Sequence, residues 1–154
     1  METPSRPTLR ITRFNQPSQN WMDAVLALRA EFHDSDSPEP FASFVARRLD
    51  DETMLLLLAW DGDQPVGYAL AFDVDADPAK PEWTRTGYIA QFLITETCRK
   101  KGAGDLLMEA VDAWFAERGL DKVLLNVNLD NPGGIRFWEK HGFTSYAYRM
   151  KRTI

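Results

Sequence analysis

Cysteine is almost absent from this chain: of 154 residues only Cys98 is one. A lone thiol excludes an intramolecular disulfide and any metal site built on several cysteines, and it suits a reducing compartment. Long apolar runs are missing as well, and Met54–Trp60 is far too short to cross a bilayer. The opening residues, Met1-Glu-Thr-Pro-Ser-Arg-Pro7, have no apolar stretch behind their charge, so residues 1–7 read as a flexible tail and not a signal peptide. Excess positive charge is lacking too. Eighteen Lys and Arg against 23 Asp and Glu give a net charge of −5, which disfavours a general nucleic-acid binder. Together these absences predict a cytoplasmic protein with neither membrane nor nucleic acid as partner.

What is present is ordinary globular material. A hydrophobic share of 44% with 27% charged residues argues against disorder, and the length fits one domain over 8–154. Thr8–Phe14 alternates as a first strand, and Ser18 caps a helix with Trp21, Val25, Leu28 and Phe32 on one face. The prolines and short polar residues of 33–40 predict a loop, followed by a short helix over Phe41–Leu49. Thr53–Trp60 is apolar throughout, as in a strand covered on both faces, and Asp61-Gly62-Asp63 turns it into an antiparallel partner, Pro65–Val74. Residues 75–83 predict a surface loop and Thr86–Thr95 a fourth strand. A helix over Gly104–Arg118, closed by Gly119, leads to a strand at Lys122–Asn128 that must lie parallel to the fourth. Asn131-Pro132 starts a last helix with Ile135, Phe137 and Trp138 inward, His141-Gly142 stops it, and Phe143–Met150 returns as a final strand. This order defines a mixed α/β domain.

The chemistry centres on Arg99-Lys-Lys-Gly-Ala-Gly104, a basic turn between a strand and a helix. Backbone N–H groups at a helix N-terminus attract an anion, and three adjacent cations strengthen the case for a phosphate-bearing ligand. The turn lacks the Gly-Lys-Ser/Thr ending of a P-loop and the third glycine of a dinucleotide fingerprint. By spacing alone, an anion site and a turn whose glycines merely allow tight packing stand level.

The stretch resembles the acetyl-CoA signature of the GCN5-related N-acetyltransferases, the GNAT superfamily. The pattern is Gln/Arg-x-x-Gly-x-Gly/Ala, with Arg99, Gly102 and Gly104 at its fixed positions. Upstream, Tyr88-Ile-Ala-Gln-Phe-Leu-Ile94 is similar to the family's fourth strand. Downstream, Asn131-Pro-Gly-Gly-Ile-Arg-Phe-Trp-Glu-Lys-His-Gly-Phe143 resembles its Asn-x-x-Ala-x-x-Phe-Tyr-x-x-x-Gly-Phe segment. The resemblance covers residues 8–150 and implies a mixed sheet of six to seven strands flanked by about four helices. It also implies fourth and fifth strands that splay at a bulge to hold acetyl-CoA.

By the same resemblance, the pyrophosphate rests on the amides of Arg99, Lys100, Lys101, Gly102, Ala103, Gly104 and Asp105. The pantetheine arm runs along the backbone of Phe92, Leu93 and Ile94, and Asn131 and Trp138 contact it. Asn131 also reads as a plain helix cap. The implied activity is direct transfer of acetyl from the CoA thioester to a primary amine of a small molecule or protein, with no metal. An alkylamine has a pKa near ~10.4, so a proton must be removed first. Many family members carry a carboxylate where Ala90 and Gln91 stand here, which leaves a water relay, Glu96 or His33 as the base. The usual acid, a tyrosine, is replaced by Trp138, leaving Tyr146, Tyr148 or no protein acid.

Cys98 stands beside the cations of the turn, which favours its thiolate, although the family transfers acetyl directly. The acceptor cleft implied by the family takes in loop 33–40, with His33, Asp34, Asp36 and Glu39. Asp73, Asp75, Asp77 and Glu82 of the 73–83 loop flank it, and an acidic mouth suits a cationic acceptor. Homodimers are common among relatives, and an apolar last strand would contribute to one. A reading from a different class is a CoA-binding sensor or inactive relative without acyl transfer, which the missing carboxylate and Trp138 favour.

Overall fold

The computed structural model describes residues 8–32, 37–75 and 80–154. The tail at 1–7, residues 33–36 with His33, Asp34 and Asp36, and residues 76–79 with Asp77 lie outside the described residues. The strands are β1 (Leu9–Arg13), β2 (Met54–Asp61), β3 (Gln64–Asp75), β4 (Arg85–Ile94) and β5 (Val123–Leu125). The helices are α1 (Gln19–Ala30), α2 (Pro38–Arg48), α3 (Ala103–Glu117) and α4 (Pro132–Lys140). The strands form one sheet in chain order, antiparallel from β1 to β4 and parallel between β4 and β5.

The uninterrupted apolar run of β2 is explained by its two faces. Leu55, Leu57 and Ala59 enter the core under α3, while Met54, Leu56, Leu58 and Trp60 enter the core under α1 and α2. Both faces of β2 are thus dry, and alternation has no function there. On the α3 side Gly87 of β4 lets the Phe115 ring press against the strand, since a Cβ there would lie 2.6 Å from it.

The local stop and start signals act as the sequence predicts. Ser18 accepts from the Trp21 N–H at 3.2 Å at the head of α1. Gly119, at φ +74°, ends α3 with N–H bonds from Gly119 to Ala116 and from Leu120 to Phe115, both at 3.0 Å.

Five expectations change. α2 begins at Pro38, so Pro38 and Pro40 belong to its first turn, where a missing N–H leaves no helical bond unmade. Phe32 lies past the end of α1 and is exposed. β5 stops at Leu125 instead of Asn128, because β4 turns away beyond Ile89. No residue of α4 is buried, and Ile135, Phe137 and Trp138 are half-buried. Residues 143–150 belong to no strand, so the described sheet has five strands and not six or seven.

The join between α2 and β2 carries a titratable contact. Asp51 accepts from the Thr53 hydroxyl (2.6 Å), the Thr53 N–H (2.9 Å) and the Arg48 guanidinium (2.8 and 3.1 Å). The Thr53 hydroxyl bond, then Arg48, hold its carboxyl down to about 2. A depressed carboxyl stabilises the fold above its unfolded pKa, here 3.8, and that contribution is lost as pH falls through about 2. Asp51→Ala is expected to cost about 1–2 kcal/mol in urea unfolding at pH 7. The gap to the native chain should close near pH 2, and a gap that persists there would remove the carboxylate as its cause.

Candidate active site

The site begins at an irregularity in β4. Its pairing with β3 runs Ala71↔Ile89 and then Leu70↔Gln91, so Ala90 is an extra residue. The side-chain faces require it. Ile89 and Phe92 are three apart, yet both contribute to the α3-side core, which a regular strand forbids. Pairing of β4 with β5 covers only Gly87↔Val123, Tyr88↔Leu124 and Ile89↔Leu125. Beyond the bulge β4 continues to Ile94 with no β5 ladder, so the backbone of residues 91–94 has an open edge toward 126–128. Asn126 bridges the mouth of this slot, donating from Nδ2 to the Tyr88 hydroxyl at 2.9 Å.

At the end of the slot the chain makes a 3-10 turn (Glu96–Cys98), then the basic turn. Lys100 takes φ +69° and Gly102 φ +87°, two left-handed residues that swing the backbone into α3. The α3 ladder starts with the Leu106 N–H on the Gly102 carbonyl (3.0 Å), which leaves the amides of 102–105 outside it, while those of Arg99 and Lys101 donate within the turn to the Thr95 (3.1 Å) and Cys98 (3.4 Å) carbonyls. A Cβ on Gly102 would meet nothing within 4 Å, so open space lies on that side of the turn. Gly104 has a different function: its Cβ would come 3.1 Å from the Phe137 ring, so glycine admits α4 against α3. Tight packing thus accounts for Gly104, while Gly102 supplies a left-handed turn beside open space.

The cations do not all face one way. Arg99 donates from Nε to the Ile94 carbonyl at 3.2 Å and lies 5.3 Å from the Phe32 ring centre, tying the turn to β4 and the end of α1. Lys100 and Lys101 are exposed. Asp105, in the first turn of α3, receives Lys140 Nζ at 3.0 Å and His141 Nε2 at 2.9 Å. These contacts, Lys140 first, hold its carboxyl below the usual range. They also oppose the negative charge that Asp105 brings to the anion turn, and they clamp the start of α3 to the end of α4. His141, expected only to cap its helix, therefore joins two helices.

One wall of the slot is aromatic. Phe92 lies 5.4 Å from Phe137 and 5.1 Å from Trp138 between ring centres, and Trp138 packs edge-on against Phe143. Asn131 caps α4, its Oδ1 accepting from the Gly134 N–H at 3.0 Å. On the opposite face of β4, the Tyr68 hydroxyl donates to Gln91 Oε1 at 2.7 Å. Tyr68 is buried and its hydroxyl is pushed up to about 12 by that burial, so at neutral pH it stays a donor that fixes the Gln91 amide. Sequence reasoning missed Tyr68; its signal, a tyrosine central in an otherwise apolar strand, is legible only when β3 is laid against Gln91.

Of the proposed acid and base residues, the described ones, Glu96, Tyr146 and Tyr148, are not brought together, and His33 lies outside the described residues. Glu96 is exposed in the 3-10 turn. Tyr146 packs against Trp83, near the N-terminal end of β4, and Tyr148 is 83% exposed. Cys98 is buried in the α3-side core, which removes it as an exposed nucleophile. Asp73 is not part of an acidic mouth: its side chain is 5% exposed and accepts from Arg85 and from Arg118 Nε at 2.8 Å. The Arg85 contact, then Arg118, hold its carboxyl below the usual range. That ion cluster borders a cavity of about 400 Å³ lined by Arg13, Glu52, Arg85, Trp114, Glu117 and Arg118, away from the basic turn.

A sheet opened by a bulge beside a basic βα turn frames this site, and the acetyltransferase (GNAT) family pattern matches residues 21–143. The chain belongs to that family. Over 68 residues it is 32% identical to the uncharacterized N-acetyltransferase YhdJ of Bacillus subtilis (strain 168), a match spanning 44% of this chain and 48% of that protein. The chain thus covers about half the length of that relative. Aminoglycoside N-acetyltransferase AAC(6')-Iy, solved in complex with CoA, has a similar fold at TM-score 0.85 and 13% identity, covering 99% of both chains. A transcriptional regulator from Bacillus halodurans C-125 is similar at TM-score 0.80 and 16% identity, covering 95% of this chain and 99% of that one.

Proposed function

We propose that the protein is an acetyl-CoA-dependent N-acetyltransferase acting on a primary amine. The observation that carries this reading is the departure of β4 from β5 at Ala90, which leaves the backbone of residues 91–94 open beside the N-terminus of α3. An extended pantetheine arm fits an open strand edge as an added strand would, and a pyrophosphate fits the α3 amides. Phe92, Leu93 and Ile94 hold the arm, Arg99 to Asp105 hold the phosphates, and Asn131 and Trp138 flank them. Acetyl-CoA supplies the activated acetyl group as a thioester. Those N–H groups of 91–94 that the β3 ladder does not use also lie where an oxyanion can be stabilised.

Ala90 and Gln91 stand about where the family resemblance implies a carboxylate, and neither can act as a base. In this reading the acceptor's proton passes through water beside Gln91, which Tyr68 orients, with His33 as the alternative base. A cationic acceptor is the preferred class, supported by the aminoglycoside named for the CoA-bound relative and by the chain's net charge of −5. A cytoplasmic location is part of the same reading, supported by the single cysteine. The absent carboxylate, and the fold shared with a protein described as a transcriptional regulator, favour the alternative of a CoA-binding sensor.

Release of free thiol from acetyl-CoA with a panel of aminoglycosides, polyamines and lysine peptides separates the two. Thiol release that depends on an amine is the expected result. CoA binding with no amine-dependent thiol on any member of the panel would favour the sensor.

A further inference from the structure

Away from the slot, the α3 face of the sheet ends in charge. Arg13 continues the side of β1 that Leu9 and Ile11 turn to the α3 core, and Asp73 continues Ala69 and Ala71 of β3. Arg85 shares a face of β4 with Gly87, against which the Phe115 ring lies. The C-terminal end of α3 covers them with Trp114, Glu117 and Arg118, and Glu52 enters from the turn before β2. Apart from Asp73, these side chains line the cavity of about 400 Å³, a size within the range of small-molecule sites, about 300–1,000 Å³. The 15 residues of α3, at about 1.5 Å each, put it roughly 20 Å from the basic turn.

The charges around this cavity are not all paired with one another. Asp73 accepts from both Arg85 and Arg118, which fixes those two guanidiniums. Arg13 donates to the Met54 carbonyl at 3.4 Å and has no carboxylate partner among the described residues. Glu52 and Glu117 have no cationic partner there either. Opposite charges thus line one cavity without reaching each other. A ligand of one sign would leave the other sign unmatched on burial, whereas a ligand carrying both answers both. The negative dipole end of α3 lies at Glu117 and favours the cationic end of such a ligand. Trp114 is the one apolar residue of the lining and is 7% exposed, so the rest of the ligand is small or polar. We propose that this cavity binds a zwitterionic α-amino acid, its carboxylate on the guanidiniums and its ammonium on the two glutamates. The proposal is independent of acetyl transfer.

Calorimetric titration of the full chain with glycine, serine, glutamate and lysine tests this, with acetate and methylamine as controls of one charge each. At least one of the amino acids is expected to bind with a Kd of about 1 mM or tighter. Both controls should bind about 10-fold more weakly or worse, since each satisfies one sign only. Arg13→Ala and, separately, Glu52→Gln should each weaken amino-acid binding about 10-fold or more. Both side chains are exposed, and a cooperative thermal melt verifies that each variant folds. No binding by any of the four amino acids at ~10 mM, well above that Kd, overturns the proposal. So does acetate or methylamine binding as tightly as the best amino acid, which would make this a site for one charge. Amino-acid binding undiminished in both variants also overturns it, since the ligand would then sit elsewhere, as in the acceptor cleft.

Discussion

Deleting Ala90 is expected to leave a folded protein that no longer binds CoA. In the native strand Ala90 is the residue without a β3 partner, so its removal keeps Ala71↔Ile89 and Leu70↔Gln91 as consecutive pairs. Ile89, Gln91, Phe92 and Leu93 then alternate regularly, and each still points into the layer it occupies now. What changes is the path of β4. A regular strand stays beside β5, the ladder extends past Leu125 toward Asn128, and the slot closes to an ordinary interstrand spacing of about 4.8 Å. Catalytic geometry is unforgiving of such movement, so kcat/KM should fall by about 100-fold or more while the thermal midpoint shifts little. Calorimetric titration with CoA and a thermal melt check the two halves separately. Undiminished CoA binding would mean that the bulge does not make the site.

Gly102→Val should weaken CoA binding about 10-fold or more, a loss of roughly 1.4 kcal/mol of affinity. The cause is backbone alone. At φ +87° a β-branched residue is strained by roughly 1–2 kcal/mol, whereas its Cβ would meet nothing within 4 Å. The turn relieves that strain by moving toward negative φ, and the amides ahead of Leu106 turn with it. Gly119→Val is the control. Gly119 sits at φ +74° at the other end of α3, also with nothing within 4 Å, so it pays a similar stability cost far from the slot. Gly119→Val should therefore lower the melting temperature without changing the CoA dissociation constant. Equal weakening by both variants would attribute the effect to general destabilisation of α3.

Much of the fold was legible because its signals are short-range. Ser18 acts on an amide three residues away, and Gly119 with Leu120 on carbonyls three and five residues back, so neither cap needs the rest of the molecule. The apolar run of β2 and the antiparallel return through Gly62 are likewise local. The prolines at 38 and 40 misled because a proline that opens a helix and one that fills a loop look alike without the helix behind them. The strand expected at 143–150 has the right alternation, but alternation specifies a strand and not its partner.

The candidate site divides along the same line. The basic turn and the Asn131–Phe143 segment could be read directly, since each is a contiguous string whose backbone or cap geometry is set by its own residues. The bulge could not, because Ala90 is an extra residue only relative to Leu70 and Ala71 on β3. Nor could the Tyr68–Gln91 bond or the Asp105 clamp to Lys140 and His141, whose members are 23, 35 and 36 residues apart. By itself the sequence determined the order of elements up to α4, the caps and a glycine-containing basic turn, because helix ends and glycine conformation obey forces acting over a few bonds. Tertiary structure alone decided that β4 leaves β5 at Ala90 and that Asp73 and Cys98 are structural. Those outcomes depend on which distant strand and helix each residue packs against, and on the burial and ion pairing that this packing imposes.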